Sequence, residues 1–556
     1  MADPRFPKLN RSQLNRLQQC GSVEQFDDRT TLFEQGELQY DFFAILKGKV
    51  KVIDPRDTDN HIVEHGKGEF TGDSGMLSNR SAQFDVVALP GAKVIRLKPK
   101  ALKDCIARNS DISDILLNAF MERQHTVLNT MKGGIKILGS GSDDKTYEIR
   151  DFLEKNHIWH SFLDTDEHEE TRDLLESFDL CEDDLPVLIN ANNKVCKTPT
   201  LAELATYAGV LMEFDDRVFD VLIVGAGPGG LGASVYAASE GLDTVTIDSS
   251  APGGQAGKSS KIENYLGFPT GISGTDLANR AYVQAQKFGC NISIPHKAHS
   301  LSHDGHHFTV QASNGKTIET RAIVIATGAN YNRLPLDNIW DYEGSGVYYS
   351  ATGMDVSSCE NEVVAVVGAG NSAGQAAMFL SNHARELHMI VRGDDLGSKM
   401  SDYLVQRIHA KDNIHLHLES NVTAMHGDDH LDSITVESPD GTNTYDMHHL
   451  FCFIGASPCT DWLNESVDMD EKGFIHTGAD VRADKRVSCG IFDKRDPLTL
   501  ESNIPGLFAV GDVRKGSVKR VASAVGEGAM VVSQVHQFLA DYRQLHQEVD
   551  EPVAVV

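Results

Sequence analysis

Closely spaced cysteine pairs are absent from this chain of 556 residues. No two of its nine cysteines stand in the C-x-x-C spacing, which excludes a redox dithiol of that kind and argues against a small disulfide-rich fold. The sequence also lacks an apolar run of about 18 residues and an apolar core near its start. We therefore expect no membrane span and a cytoplasmic location.

Positive charge is scarce as well. Lys and Arg number 51 against 80 Asp and Glu, which leaves a formal net charge of −29. Such a chain repels the phosphates of nucleic acids, so we expect no nucleic-acid partner. The 23 histidines do not stand with carboxylates or thiolates at the spacing of a metal site, and we predict no metal.

What is present is the composition of a folded, multidomain protein. Apolar residues make up 40% of the chain, beside 48 glycines. At roughly 100–200 residues per domain, the length predicts several domains. Alternating apolar runs from about residue 30 to residue 97 predict a small antiparallel barrel. Apolar residues three or four apart then predict a helix over 111–132, which either joins two chains in a homodimer, as we expect, or packs on its own barrel.

The next segment, residues 135–217, alternates strand and helix patterns. It begins with the strand IKILGS, and later strands are HIWHSFLD and LPVLIN, each followed by a helical pattern. This order predicts a small α/β domain.

A glycine-rich turn follows an apolar strand in VFDVLIVGAGPGG. Gly225 makes the tight turn, Gly227 lets the backbone approach a pyrophosphate, and Gly230 allows the next helix to pack closely. The second strand ends in Asp248, at the offset where an acid binds ribose hydroxyls. The unit predicts a dinucleotide site, and the alternative is a glycine turn with a structural role only.

A second unit, NEVVAVVGAGNSAGQAA, has Gly368, Gly370 and Ala373 at the same spacing. Its second strand ends in Arg392 instead of an acid. Arginine accommodates the 2′-phosphate of NADPH, with Lys399 in support, so the sequence favours NADPH over NADH. The alternative is that Arg392 is a solvated charge, since two aspartates follow it closely.

Further motifs surround these turns: PGGQ, IENYLGFP, IATGA, FIGASP and GLFAVGDV. In this order they resemble low-molecular-weight thioredoxin reductase over about 219–539. The resemblance implies FAD reduced by NADPH. It implies FAD contacts from Gly225, Gly227, Gly230, Asp248, Gly254, Gln255, Asn264, Thr327, Gly328, Gly511, Asp512 and the helix from Val521, and NADPH contacts from Gly368, Gly370, Asn371, Ser372, Ala373, Arg392 and Lys399.

The resemblance also implies how the domains are arranged. An FAD-binding domain at 218–333 and 456–556 is split around an NADPH-binding domain at 334–455. The chain passes between the two near Ala329 and Gly455. In that family the NADPH domain rotates to alternate nicotinamide and disulfide access to the flavin.

The family's redox dithiol is missing. Ser350 and Gly353 stand where thioredoxin reductase has its two cysteines, and neither forms a disulfide. We therefore assign no catalytic residue. Cys359 stands alone and is interpreted as a small buried residue. Tyr348 and Tyr349, beside the missing pair, are hypothesised to cover the flavin.

The two front segments resemble other families. Glycines near residue 36 and the stretch GEFTGDSGMLSNRSA resemble a cyclic nucleotide-binding domain, here residues 1–134. This implies Asp73 on the ribose and Arg80 on the cyclic phosphate, and the alternative is a structural barrel. Residues 135–217, with Pro186, resemble a thioredoxin or glutaredoxin module. Serines and aspartates replace its C-x-x-C, so we interpret it as a docking or spacing module instead of a dithiol relay.

The predicted fold class is thus multidomain: a jelly-roll-like barrel, a small thioredoxin-like α/β domain, and two Rossmann-like domains for FAD and NAD(P). The predicted function is electron transfer from NADPH through FAD to an unidentified protein or small-molecule acceptor, with a cyclic nucleotide as candidate regulator. Two alternatives remain open: a ferredoxin- or flavodoxin-type NADP reductase of the same fold, and a non-enzymatic sensor of NADPH and cyclic nucleotide.

Overall fold

The structure is a computed structural model of the whole chain. It describes residues 3–55, 61–78, 80–130, 134–166, 171, 175, 177–178, 180–190, 194–208, 210–211, 217–257, 259, 262, 265–336, 338–342, 346–349, 351, 359–428, 430–487 and 490–550. Across these residues, no helix combines the length and apolar character that crossing a membrane requires.

The N-terminal part is a barrel of two antiparallel sheets, with strand orders β1-β7-β3 and β2-β6-β4-β5. We call it the barrel. Phe42, Phe43 and Phe70 fill its interior and are at most 1% exposed. Its elements are α1 (Arg11–Cys20), β1 (Ser22–Phe26), β2 (Thr30–Phe33), β3 (Phe42–Lys47), β4 (Val50–Ile53), β5 (His61–His65), α2 (Gly75–Ser78), β6 (Asp85–Ala88), β7 (Ala92–Leu97), α3 (Pro99–Arg108) and α4 (Ser110–Thr130).

Helix α4 packs on its own barrel. Phe120 makes an edge contact with Phe70, at 6.1 Å between ring centroids. The Arg123 guanidinium donates to the carbonyls of Phe70 and Gly72. Intrachain packing therefore accounts for the apolar stripe that the sequence shows, and the homodimer remains a prediction.

A second, smaller sheet follows, and we call it with its helices the small module. Its strand order is β11-β10-β8-β9, with β8 and β9 parallel and the other pairs antiparallel. The Leu185–Pro186 bond before β10 is cis. The elements are β8 (Ile135–Gly139), α5 (Asp144–Lys155), β9 (His160–Asp164), β10 (Val187–Ile189), β11 (Val195–Lys197) and α6 (Leu201–Tyr207).

The first glycine-turn unit, called the first unit, has strand order β14-β13-β12-β17-β16-β15, with β28 parallel to β17. Strands β12, β13, β14 and β17 form its parallel part. Its elements are β12 (Val218–Val224), α7 (Pro228–Ser239), β13 (Thr244–Ile247), α8 (Gly254–Gly257), α9 (Gly274–Lys287), β14 (Asn291–Ser293), β15 (Ala298–His303), β16 (Phe308–Ala312), β17 (Thr317–Ile325), β28 (Leu507–Ala509) and α12 (Val521–Asp550).

The second unit is a parallel sheet of order β19-β26-β20-β21-β22 beside an antiparallel sheet β23-β24-β25. Two antiparallel strands, β18 (Ala329–Tyr331) and β27 (Ala456–Pro458), join it to the first unit. Its elements are β19 (Val347–Tyr348), β20 (Val363–Val367), α10 (Asn371–Leu380), β21 (Glu386–Ile390), α11 (Asp402–His409), β22 (Ile414–His417), β23 (Asn421–His426), β24 (Ser433–Ser438), β25 (Gly441–Asp446) and β26 (His449–Cys452).

The predicted fold class is confirmed, and two differences concern individual elements. Helix α1 and strand β1 precede the apolar pattern and were not predicted from the sequence. Helix α1 begins with a capping box in which Asn10 and Gln13 each accept a hydrogen bond from the other's main-chain N–H. The helical pattern that the sequence shows after the strand HIWHSFLD, residues 169–178, lies largely outside the described residues.

Candidate functional site

One continuous cleft of about 1480 Å³ lies between the first and second units. Both glycine turns line it, although they are more than a hundred residues apart in the sequence. The predicted site residues that line it are Gly225, Gly227, Asp248, Gly254, Gln255, Thr327, Gly328, Gly511, Asp512, Val521, Gly368, Gly370, Asn371, Ser372, Arg392 and Lys399.

Two glycines of the first turn, Gly225 and Gly230, cannot be replaced by another residue without movement of the backbone. Gly225 has φ +108°, and a Cβ on it would lie 2.3 Å from the Ala326 carbonyl oxygen. A Cβ on Gly230 would lie 1.8 Å from the Gly225 oxygen. A Cβ on Gly227 would meet nothing closer than 3.9 Å. The open side of Gly227 faces the cleft, so a ligand can approach the backbone there.

Asp248 lies at the end of β13 beside this turn. Its carboxylate accepts hydrogen bonds from the main-chain N–H groups of Ala226, Ser250 and Ala251, at 2.8–3.2 Å. Burial raises the pKa of Asp248, and these N–H donors oppose that rise. The carboxylate is therefore held in one orientation at the cleft wall, where it can accept from a hydroxyl.

Gln255 provides an unused polar atom in the cleft. Its Nε2 donates to the Ala329 carbonyl at 3.1 Å. Its Oε1 is buried and has no hydrogen-bond partner within the described part of the chain. A buried amide oxygen without a donor is costly, so this atom is suited to a ligand that carries an N–H or O–H group.

Helix α12 begins at the cleft and packs tightly on α7. A Cβ on Gly528 would lie 2.2 Å from the Gly229 oxygen, so the two helices are in backbone contact. Asp512 precedes the helix, and burial raises the pKa of its carboxyl group while Lys519 opposes the rise. The N-terminal end of a helix of this length favours negative charge.

The second turn resembles the first. Gly368 has φ +140°, and a Cβ on it would lie 2.3 Å from the Phe453 oxygen, whereas a Cβ on Gly370 would meet no atom within 4 Å. Arg392 and Lys399 are exposed at the cleft and have no ion-pair partner among the described residues. Two cations beside an open glycine turn suit a phosphate, although the carboxylate of Asp395 lines the same cleft.

Several predicted residues lie elsewhere. Gly230 and Ala373 are buried behind their turns, and they act by packing. Asn264, Ser350 and Gly353 are outside the described residues. Tyr348 stacks on Phe451, at 5.1 Å between ring centroids, and lines a different cavity. Tyr348 therefore does not line the cleft that both glycine turns form, and the hypothesis that it covers the flavin stays a prediction.

The structure adds two residues that sequence reasoning missed. Lys155 and His157, at the end of α5 in the small module, line the cleft. Burial, followed by the charge of Arg80, lowers the pKa of His157 to about 4, so its ring is neutral near pH 7. No motif marks these residues, because only the docking of the small module brings them to the cleft.

The small module has no thiols at the N-terminal end of α5. Asp143 caps that helix through the Thr146 N–H at 2.7 Å, and the Ser140 and Ser142 hydroxyls are 2.8 Å apart. This end faces the second unit across a cavity of about 360 Å³, whose far wall includes Tyr348 and His449. The module therefore faces the second unit at this end, and it contacts the first unit through the hydrogen bond from Asn156 to the Ser250 carbonyl.

The candidate nucleotide-binding loop of the barrel lies against the small module. Asp73 accepts from the Tyr40 hydroxyl at 2.6 Å and from the Gly75 N–H at 2.7 Å. Arg80 is 9% exposed, and its guanidinium donates to the carbonyls of Asn156 (2.7 Å) and His157 (3.2 Å). The two predicted ligands of a cyclic nucleotide are thus close in the fold. The Arg80 guanidinium donates its hydrogen bonds to the neighbouring module and lies over the Tyr282 ring of the first unit, at 5.8 Å from the ring centroid.

Metal chemistry receives no support from the described residues. Among them, no three His, Cys, Asp or Glu side chains are grouped so that they could hold a metal ion.

Known proteins share this arrangement. Residues 219–528, more than half of the chain, match the family described as pyridine nucleotide-disulphide oxidoreductase. The chain belongs to that family. Residues 23–109 match the cyclic nucleotide-binding domain family, so this oxidoreductase carries such a domain at its N-terminal side.

Individual relatives agree with this assignment. A thioredoxin reductase of Listeria innocua is 28% identical over 336 residues, which is 60% of this chain and 98% of the relative. A "34.2 kDa protein in rubredoxin operon" of Clostridium pasteurianum is 27% identical over 334 residues, 58% of this chain and 98% of that protein. The solved thioredoxin reductase of Lactococcus lactis, in the FR conformation, has a TM-score of 0.52 at 26% identity, covering 58% of this chain and 99% of that one. The predicted family resemblance and the predicted enzyme class are confirmed.

Proposed function

We propose that this family member transfers electrons from NADPH, through FAD, to an acceptor that it does not reach through a dithiol of its own. The observation that carries the proposal is the single cleft lined by both glycine turns. When bound in this cleft, FAD would accept a hydride from NADPH and would supply the two electrons to an oxidised acceptor.

The residues present fit FAD on the side of the first unit. The open face of Gly227 admits a pyrophosphate, and the oriented Asp248 carboxylate can accept from ribose hydroxyls. The unpartnered Oε1 of Gln255 can accept from a ring N–H. The first turn of α12, next to Asp512, supplies N–H groups and a partial positive charge for an electron-rich ring.

NADPH fits on the side of the second unit. Gly370 is open to a pyrophosphate, and Arg392 with Lys399 can hold a 2′-phosphate. Nothing in this set acts as an acid or base at a reacting atom. The chain contributes by positioning two rings and by excluding water, which is sufficient for hydride transfer.

The cysteines that the structure describes do not form a thiol relay beside the cleft. Among the described residues that line it, Cys459 is the one cysteine, and burial raises the pKa of its thiol to about 11. Cys359 is fully buried under the second unit. A lone thiol with a high pKa is a poor nucleophile and cannot close an intrachain disulfide.

The experiment that tests the proposal is anaerobic mixing of the purified protein with NADPH, and separately with NADH. We expect the protein to be isolated with FAD and its visible flavin absorbance to bleach faster with NADPH. Isolation without FAD, or a flavin that stays oxidised with both nucleotides, contradicts the proposal. The sensor alternative predicts bleaching without steady turnover with any acceptor.

A second prediction concerns the thiols. Because no dithiol stands at the cleft, we expect Cys459→Ala and Cys359→Ala to keep the wild-type rate of flavin bleaching and of turnover, within about two-fold. Stopped-flow absorbance and steady-state NADPH oxidation measure both rates. A loss of turnover with intact bleaching in either variant would show that a cysteine carries electrons to the acceptor. Exposed Cys181, on the small module, gives the matched control.

The electron acceptor can be sought by measuring NADPH oxidation with a set of candidate acceptors, which should include one-electron carriers as well as disulfide proteins. One relative is named for its place in a rubredoxin operon, and rubredoxin is such a carrier. We therefore include rubredoxin and ferredoxin with thioredoxin and quinones. Turnover with the carriers alone identifies the ferredoxin-type alternative.

We propose further that the barrel binds a cyclic nucleotide, with Asp73 and Arg80 as ligands, and that binding regulates the flavin site. The match of residues 23–109 to the nucleotide-binding family supports this. So does the meeting of Asp73, Tyr40 and Arg80 at Gly75, where an added Cβ would lie within 3.4 Å of all three side chains. We also propose these domain limits: 1–134 for the cyclic nucleotide-binding domain, 135–217 for the thioredoxin-like module, 218–333 with 456–556 for the FAD-binding domain, and 334–455 for the NADPH-binding domain.

A further inference from the structure

Arg80 is a buried cation without a counter-charge. It is 9% exposed, and none of the described carboxylates lies within ion-pair distance of its guanidinium. Two of its nitrogens donate to main-chain carbonyls, while its Nε is buried and has no hydrogen-bond partner among the described residues. Charged groups are rarely buried without a pair, so this guanidinium is suited to an anion.

The carbonyls that Arg80 holds belong to a turn that contacts the first unit. The turn is Asn156–His157, at the end of α5. The Asn156 side chain donates to the Ser250 carbonyl at 2.9 Å, two residues after Asp248. His157, the other partner of Arg80, lines the cleft itself. A chain of three hydrogen-bonded residues thus runs from the candidate phosphate ligand to the cofactor cleft.

The neighbouring contacts join the barrel, the small module and the first unit to one another. Gln124 of the barrel accepts from Ser74 at 3.0 Å and from Asn279 of the first unit at 3.4 Å. Tyr282 and Val283 of the first unit are buried in the same apolar cluster as the barrel core. Phe152, Leu153 and Ile158 of the small module belong to the same cluster, so the hydrogen bonds of the Asn156–His157 turn are the contacts that a ligand at Arg80 can change. On its other side the module faces the second unit across a cavity.

The position of the module restrains the two units that form the cleft. The second unit is joined to the first by the paired strands β18 and β27, with Gly328 and Gly455 at positive φ beside them. Two adjacent strands with glycines at their ends make a hinge. The module is hydrogen-bonded to the first unit through Asn156 and faces the second unit across the cavity, so it lies in the path of movement about this hinge.

We propose that Arg80 is a latch that the phosphate of a cyclic nucleotide releases. While Arg80 holds the Asn156–His157 turn, the small module stays against the cleft and restrains the second unit. A cyclic phosphate offers the guanidinium charged oxygens, which are stronger acceptors than the two neutral carbonyls. Once Arg80 turns to the phosphate, the turn separates from Ser250 and NADPH reduces the flavin faster. This inference rests on the function proposed above.

The first test follows flavin bleaching by NADPH in the full-length protein, with and without cyclic AMP and cyclic GMP. We expect one of them to raise the wild-type rate by about five- to one-hundred-fold, the span of ordinary allosteric couplings. The nucleotide 5′-AMP, which lacks the cyclic phosphate, is the ligand control. Arg80→Ala is expected to bleach at the raised rate whether or not a nucleotide is present.

A second variant keeps the proposal testable if Arg80→Ala fails to fold. Asn156→Ala breaks the contact to Ser250 from the other side and leaves Arg80 in place, so we expect it to bind the nucleotide and still bleach at the raised rate without it. Exposed Arg108, at the end of α3, gives the matched control, and Arg108→Ala should respond as the wild type does.

Hydrogen exchange supplies a readout that does not depend on activity. The His157 and Ile158 N–H groups donate to Glu154 and Leu153, and we expect the nucleotide to raise their exchange in the wild type. The latch is wrong if saturating nucleotide changes neither this exchange nor the bleaching rate, or if Arg80→Ala bleaches at the unstimulated wild-type rate. The proposed function fails separately if no variant, Arg80→Ala included, bleaches with NADPH or NADH.

Discussion

Gly230→Ala is expected to yield a protein that has lost most of its FAD and much of its stability. A Cβ at this position would lie 1.8 Å from the Gly225 oxygen and 3.3 Å from the Ala326 Cβ. The first neighbour is backbone, so relief requires α7 to move away from the turn. Overpacking of a core costs about 1–3 kcal/mol, and a clash with backbone belongs at or above the upper end of that range.

The measurements are the ratio of flavin to protein after purification and the free energy of unfolding in urea. Gly526→Ala is the matched control, because this glycine lies in α12, which packs on α7, and no atom stands within 4 Å of an added Cβ. Alanine there should keep the flavin and raise stability by up to about 1 kcal/mol. A yellow Gly230→Ala protein of wild-type stability would contradict the geometry of the first turn.

Arg392→Ala is expected to remove the preference for NADPH. The arginine is exposed at the cleft beside the open turn at Gly370, with no ion-pair partner among the described residues. A hydrogen bond to a charged group is worth about 1.5–3 kcal/mol. At 1.36 kcal/mol per factor of ten, the KM for NADPH should rise by about 10- to 150-fold. The KM for NADH, which has no 2′-phosphate, should stay within about two-fold.

Steady-state kinetics with both nucleotides check this prediction. Arg407→Ala removes an exposed arginine of the same unit that does not line the cleft, and it should change neither constant. Equal losses with NADPH and NADH would show that Arg392 supports the unit as a whole. No loss with either would leave Arg392 as a solvated strand-end charge.

Local sequence was sufficient to predict the two glycine turns, because the conformation of such a turn depends on a few neighbouring residues. Gly225 and Gly368 both adopt positive φ, and their missing Cβ atoms face carbonyl oxygens, as a tight turn requires. The alternation of apolar residues likewise predicted most barrel strands. Helix α1 was missed although Asn10 and Gln13 form a capping box, a signal that was available.

Other features depend on contacts between distant segments and have no local pattern. The helix predicted over 111–132 had two interpretations, and only the packing of Phe120 on Phe70 shows what covers its apolar stripe. Tyr348 was placed over the flavin because of its neighbours in the sequence. In the fold it lies in β19, stacked on Phe451, because strand pairing decides which face of the sheet a side chain meets.

By itself the sequence determined the family, the two glycine turns, the barrel that matches the cyclic nucleotide-binding domain family and the lack of a C-x-x-C, because each is a matter of residue type and spacing. The tertiary structure decided that both turns line one cleft, that His157 of the small module reaches it, and that Arg80 holds the Asn156–His157 turn. These contacts join residues 76 or more positions apart. Every residue has a main-chain carbonyl, so the residue types do not show which carbonyls accept these hydrogen bonds.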